Sequence, residues 1–368
     1  MGENKRYAQP EANPNNLILI NRQSPGDGVL LAFAAHSIHK AHPGKFIIDV
    51  QTPFDDLYAG MYETGVLTKM TRQQIQTARI IETQYKTIHR SNQAPHFYIN
   101  GILETLEEEL NLTIPPAEHT GFITLMKEET CWYSAPRELL GENYPFWVVN
   151  AGWKNDYTAK QWSTLEYQKL VDMFPEIYFV QVGAKEHNHP KLQGDNLLDF
   201  VGKTDLRQLI RLIWNSYGVI TPCSMAMLLS YAVPPHHIYR KPSRACIAIT
   251  GGREPNHWHQ GPNMQYMHTC GMLDCCSFGG CWRSRVETLD DGQDHHNEKL
   301  CHHPVLMPDG QKIAKCMAMI TADMVGNHIR NYMDNDPNLV IHEGKYMMKD
   351  TIAKKEEKEL TESEDVVS

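Results

Sequence analysis

Apolar positions along the chain fall into two kinds of stretch. Short continuous runs bounded by glycine, proline or charge predict strands, and longer stretches with apolar residues every three or four positions predict helices. Residues 17–21 read as an apolar strand, 29–42 as a helix and 45–51 ("KFIIDVQ") as a second strand, the opening βαβ unit of a parallel sheet. Residues 68–90 and 97–111 read as mostly helical, the latter with glutamates on a solvated face. After a polar, proline-containing stretch at 114–145, the alternation resumes. "FWVVNAG", "IYFVQVG", "GVIT" and "ACIAITGG" predict strands, and "TAKQWSTLEYQKLVDMFP", "DLRQLIRLIWNS" and "SMAMLLSYAV" predict the helices between them. Beyond residue 285 polar loops lead to an amphipathic helix, "AMITADMVGNHIRNYM", and the last segment, "KKEEKELTESEDVVS", has too little apolar content to pack and reads as a disordered tail.

Two α/β series in tandem, in a chain of 368 residues, predict an α/β fold of two Rossmann-like domains facing across a cleft. The expected division is 1–140, 141–268, a Cys-rich segment at 269–318, a C-terminal helix at 319–350 and a tail at 351–368. With 41% apolar and 21% charged residues the composition is that of a globular protein, and a net charge of −9 argues against a nucleic-acid partner. No apolar run reaches the ~18 residues of a membrane span and no secretory leader is visible, so the expected location is cytoplasmic. Six of the nine cysteines lie between Cys270 and Cys316, a clustering that fits a local metal site or reduced thiols better than a disulfide framework.

Candidate chemistry sits where strands turn into helices, because ligands of such sheets bind at the carboxyl ends of the strands. "SPGDG" follows the first strand. Gly26 and Gly28 permit close approach to a phosphate or sugar, and Asp27 is placed either to accept a proton or to cap the helix. In "NAGWKNDYTAKQW", Lys154 and Lys160 suit the negative charge of a diphosphate, or stand as solvated lysines. Ser224, in "TPCSMAMLLSYAV", either donates to a phosphate or caps its helix. Arg253 and Glu254 leave the last strand in "TGGREPNHW", placed to hold phosphate and ribose hydroxyls or to form a surface ion pair. Asp49 occupies a second-strand position that could read ribose, but "GDG" lacks the G-x-G-x-x-G context of a dinucleotide site, which argues against an oxidoreductase.

Over residues 16–260 the chain resembles glycosyltransferase family 9, the ADP-heptose-type heptosyltransferases of the GT-B fold. The resemblance is carried by "LILINRQSPGDGVLLAFAAHSIHKAHPGKFIIDV", "KQW", "FVGKTDLRQLIRLI" and "TPCSMAMLLSYAVP" in that order. It implies that Asp27 is the general base and that Lys160 contacts the donor's phosphates. One departure is plain: the family's Asp-[Ser/Thr]-Gly-x-x-His turn reads Cys223, Ser224, Met225, Ala226, Met227, Leu228, so Ser224 alone is carried over.

Cys276, Cys281, Cys301 and Cys316 are spaced to close a tetrahedral thiolate site for zinc or iron, with Cys275 able to replace Cys276. Their placement resembles the four-cysteine iron finger of autotransporter heptosyltransferases. His295, His296, His302 and His303 are alternative ligands or solvated histidines. The expected function is an inverting transfer of a sugar, heptose by resemblance, from a nucleotide-diphospho-sugar such as ADP-heptose to an acceptor hydroxyl. Lys154, Lys160 and Ser224 would neutralise the leaving group, making a catalytic metal unnecessary. The acceptor stays open between a saccharide, a protein and a small molecule, and a homo-oligomer is compatible with the chain. Two rival readings are a nucleotide-sugar-binding protein without catalysis and a metal-stabilised scaffold.

Overall fold

The computed structural model describes residues 13–85, 97–132, 134–291 and 299–350. β1 (Asn13–Ile20) is buried over its last five residues and is flanked by β2 (Ile47–Gln51) and β3 (Ala78–Glu82) in a parallel three-stranded sheet. α1 (Pro25–Ala41) connects β1 to β2 and begins at Ser24, with proline in its first turn. Its residues from Val29 to Ala35 are fully buried, because it lies between its own sheet and elements of both halves. The short helices α2 (Ala59–Glu63) and α3 (Arg72–Thr77) follow β2.

Of the helix expected over 68–90, only α3 is found among the described residues, where the chain turns at once into β3; residues 86–90 lie outside them. Along β3, Ile80 is 62% exposed and Ile81 3%, the period-two pattern of a strand. Its register is set by pairing with β1, a partner some 60 residues away in sequence that local periodicity does not reveal. α4 (Gly101–Leu110) falls within the second expected helix, and α5 (Ala135–Leu140) leads into the second sheet.

That sheet has six parallel strands in the order β6-β5-β4-β7-β8-β9. The chain runs β4 (Phe146–Val149), α6 (Thr164–Asp172), β5 (Tyr178–Gly183), β6 (Leu197–Val201), α7 (Leu206–Asn215), β7 (Gly218–Pro222), α8 (Met225–Ala232), β8 (Ala245–Gly251), α9 (Asn256–His259) and β9 (Met264–His268). β4, β7 and β8 are buried throughout, which is why they read as continuous apolar runs. β6 and β9 are the two edges, both partly exposed, and the sequence pattern misses both. α8 packs on α1, and one apolar cluster runs from β1 and α1 through α7 and α8 into the second sheet.

After β9 come a hairpin of β10 (Pro304–Leu306) and β11 (Lys312–Ala314), then α10 (Lys315–Ala318) and α11 (Ala322–Asp334). α11 starts at Thr321, whose hydroxyl accepts from the Met324 amide, and packs on α6. The helix expected over 319–350 ends at Asp334. Asn335, Asp336 and Pro337 stop it, and residues 339–348 form a hairpin of β12 (Leu339–His342) and β13 (Lys345–Met348). Glu343 and Gly344 both take positive φ, 50° and 74°, as a two-residue hairpin turn requires. The expected tail at 351–368 lies outside the described residues, among which no helix is long and apolar enough to cross a membrane.

Candidate functional site

The turn after β1 places Asp27 at the third position of α1, where it belongs to the helix cap and to something larger. Its Oδ2 accepts from the backbone amide of Ser24 at 2.8 Å and from the Ser24 hydroxyl at 2.6 Å, one arm of a capping box. Its Oδ1 accepts from the Tyr85 hydroxyl at 2.5 Å and from the Tyr98 hydroxyl at 2.7 Å. The carboxylate is 7% exposed and holds four donors. The two tyrosine rings stack with centroids 4.6 Å apart. Gly26 and Gly28 serve packing here: a Cβ at 26 would lie 3.3 Å from Leu228 of α8, and one at 28 would lie 3.2 Å from Leu57 and 3.3 Å from the Tyr58 hydroxyl.

Tyr98 is also where the two halves meet. Its ring lies 4.9 Å from that of Trp258 and 4.6 Å from that of His259, both on α9. His259 in turn sits 2.8 Å from Glu254 through Nε2, and its buried Nδ1 has no hydrogen-bond partner among the described residues. Burial, then the charges of Lys160 and Arg253, push the His259 imidazole well below its ordinary value, so it is neutral.

Glu254 is the hub of the second half's cluster. It is 3% exposed, its Oε1 is 3.2 Å from Lys160 Nζ and pairs with Arg253, and its Oε2 meets His259 and, at 2.8 Å, the Cys223 thiol. Burial, with Arg253 as the second cause, pushes the Lys160 ammonium down to about 8. Both cations also lie 5.3 Å from the ring centroid of Tyr157. Ser224 stands at the start of α8, yet its hydroxyl pairs with Thr221 Oγ1 at 2.8 Å and with Asn150 Nδ2 at 3.3 Å, so it does not cap the helix. Lys160, Ser224, Arg253 and Glu254 are therefore brought together at the carboxyl ends of β4, β7 and β8. Lys154 is not: it is exposed at the head of the turn at 155–160, with no ion pair to the cluster. Asp49 is engaged by Tyr62 and by the Met70 amide within the first half.

The Cys-rich segment packs directly behind Arg253. Gly251 has φ +61°, and a Cβ on Gly252 would lie 2.9 Å from Cys276 Sγ. The Cys281 and Trp282 amides donate to the carbonyls of Gly252 and Arg253, and Arg253 Nε donates to the Arg283 carbonyl at 2.8 Å. Cys275, Cys281, Cys301 and Cys316 line one small cavity of about 10 Å³, together with Arg253 and His303. Burial first, and the neighbouring sulfurs next, push the Cys275 thiol up to about 12; burial pushes the Cys316 thiol up to about 11 against a lowering hydrogen bond from the Gly252 backbone. Cys276 lies off the cavity, its Sγ directed to the Thr269 and Leu273 carbonyls. His303 pairs with Asp274 at 2.5 Å; His295 and His296 lie outside the described residues.

Sequence reading missed Tyr85, Tyr98 and His259. "NHWH" just beyond Arg253 and Glu254, at the end of a predicted strand, is a signal that could have pointed to His259. Tyr98 carries no such signal, since it reaches Asp27 across 71 residues.

No family model matches the sequence, and no curated protein matches it. Solved structures do resemble it. The iron-containing dodecameric glycosyltransferase TibC from enterotoxigenic E. coli H10407 is 18% identical, with a TM-score of 0.55 over 88% of this chain and 77% of that one. A second structure of TibC is in complex with ADP-D-beta-D-heptose and has the same TM-score of 0.55. The glycosyl transferase family 9 structure from Veillonella parvula DSM 2008 is 12% identical, with a TM-score of 0.56 over 88% of this chain and 99% of that one. E. coli heptosyltransferase WaaC with ADP-2-deoxy-2-fluoro heptose is 10% identical, with a TM-score of 0.52 over 86% of this chain and 99% of that one. The shared fold is GT-B, as the family resemblance implies.

Proposed function

We propose that this protein is an inverting glycosyltransferase that moves a sugar, with heptose the first candidate, from a nucleotide-diphospho-sugar to an acceptor hydroxyl. One observation carries the reading: the buried carboxylate of Asp27 in one half faces, through Tyr98, a cationic cluster at the strand ends of the other. Asp27 is the base for the acceptor's proton. Lys160 and Arg253 carry two positive charges against the one negative charge of Glu254, and the excess stands where the departing diphosphate gains charge. Ser224 and the start of α8 add hydrogen-bond donors on the same side. Lys154, outside the cluster, meets the donor only at its periphery.

Glu254 has both oxygens taken by protein groups, so its part is to hold the two cations and His259 in place, in preference to a donor ribose. The choice of ADP-heptose is supported by the complexes of TibC and WaaC. The four thiols that line one cavity, Cys275, Cys281, Cys301 and Cys316, are the proposed ligands of a structural iron or zinc ion, which would supply a cross-link behind Arg253. Nine unpaired cysteines agree with a reducing, cytoplasmic setting. A homo-oligomer is part of the proposal, since TibC is dodecameric.

The test is a binding and hydrolysis screen of ADP-, GDP-, UDP- and dTDP-sugars with the wild type and Asp27→Ala. ADP-heptose is expected to bind both proteins and to be turned over by the wild type alone. Failure of every donor to bind would overturn the reading in favour of a scaffold, and binding without turnover would favour a nucleotide-sugar-binding protein.

A further inference from the structure

Asp27 has no free acceptor position in this structure. Ser24 fills one carboxylate oxygen with two donors and the tyrosine pair fills the other. Asp27 is buried, 7% exposed as a residue, and both donors on the oxygen that would serve as base are tyrosine hydroxyls. The two tyrosines differ in what lies beyond them. Tyr85 stacks behind Tyr98, whereas Tyr98 borders Trp258 and His259 of the second half, the side that holds Lys160, Arg253 and Glu254. Of the two donors on Asp27 Oδ1, Tyr98 is therefore the one on the side of that cluster.

We propose that Tyr98 is a catalytic residue of this transfer, relaying the acceptor's proton to Asp27. The inference rests on the glycosyltransferase reading above. In the step, the acceptor oxygen forms its bond to the anomeric carbon and gives its proton to the Tyr98 oxygen. Tyr98 simultaneously gives its own proton to Asp27 Oδ1, and the bond from the anomeric carbon to the diphosphate breaks with its electron pair on phosphate oxygen. Asp27 ends as the neutral acid, and the negative charge has moved to the leaving group beside Lys160 and Arg253. The other groups bearing on this path are Tyr85 and Tyr58 in the first half and Lys160 and His259 in the second. Burial first, then Tyr85 and Asp27, keep the Tyr98 hydroxyl protonated, so its proton leaves only as another arrives.

The probe is hydrolysis of ADP-heptose, with water standing in for the acceptor hydroxyl. Tyr98→Phe keeps the ring that packs on Trp258 and is expected to lower kcat about 100-fold or more, within the range of acid–base steps, while the Kd for ADP-heptose by calorimetry stays within about twofold. The proton inventory in mixed H2O and D2O is expected to curve for the wild type, with two protons in flight, and to be linear for the residual rate of Tyr98→Phe. A 3-fluorotyrosine at position 98, which preserves ring and hydroxyl and lowers its pKa, alters kcat if the relay holds. A linear inventory in the wild type, or a smaller loss of kcat in Tyr98→Phe, overturns the relay. Asp27→Asn separates the two levels of the argument: if it is inactive while Tyr98→Phe is active, the relay alone falls. If Asp27→Asn is fully active, or the wild type turns over no donor, the underlying reading falls with it.

Discussion

Replacing Lys160 with methionine is expected to make the protein more stable and less active. Lys160 has a side-chain exposure of only 24%, and its ammonium titrates near 8 against an ordinary value of 10.5. Because the folded-state value is depressed, the unfolded chain binds more protons than the folded one between pH 8 and 10.5, and the lysine costs stability at pH 7. The drop from 10.5 to about 8 corresponds to about 3 kcal/mol at neutral pH. The cost shrinks as pH rises through that window and is gone above it. Methionine keeps most of the buried stem without the charge, and Glu254 keeps Arg253 and His259 as partners. Urea unfolding of wild type and variant at pH 7.0 and 9.5 measures the difference. Comparing the two proteins cancels the tyrosines and thiols that Lys160 does not influence, and a Cys223→Ala background in both removes the thiol whose titration it shifts. The advantage of Lys160→Met is expected to fall from about 3 kcal/mol at pH 7.0 to about 1 at pH 9.5. In activity, the wild type's kcat/KM for ADP-heptose is expected to decline above pH 8 as the ammonium deprotonates, and the variant to lose that limb along with most of its rate. An equal stability difference at both pH values would refute the reasoning, for it would mean that Lys160 titrates alike in the folded and unfolded chain.

Two further outcomes bear on neighbouring parts of the structure. Purified protein is expected to carry about one iron or zinc ion per chain by elemental analysis, and Cys281→Ser or a strong chelator to remove it and lower Tm by several degrees or more; an unchanged Tm in metal-free protein would rule out a structural ion. Gly28→Ala is expected to cost about 1 to 3 kcal/mol by urea unfolding, because its Cβ would press on Leu57 and the Tyr58 hydroxyl at 3.2 and 3.3 Å, and a neutral result would show that this wall yields.

Much of the fold could be read from the chain because its strongest signals are local. Buried parallel strands such as β4, β7 and β8 must be apolar on both faces, and helices such as α7 must present one apolar stripe, so their periodicities survive without tertiary context. Asp27, Ser224, Arg253 and Glu254 were open to reading for a similar reason: each follows a strand end beside glycine or a helix start, and Lys160 lies in the longer turn from β4 to α6, on the rim where such sheets bind ligands. Strand β3 and the edge strands β6 and β9 escaped because each pairs on one side only with a strand that is not its hairpin neighbour, and the final hairpin escaped because its four-residue strands are too short to show a period.

The sequence by itself therefore determined the two α/β series, the rim on which chemistry is possible and the thiols gathered after the second sheet. Tertiary structure alone decided how those groups face one another. It aimed Tyr98 at Asp27 from 71 residues away, brought His259 against Glu254, set Lys154 apart from Lys160, and placed Cys275 rather than Cys276 on the thiol-lined cavity. Hydrogen bonds and ion pairs act over about 3 Å and depend on direction, whereas sequence periodicity reports only which face of an element is buried.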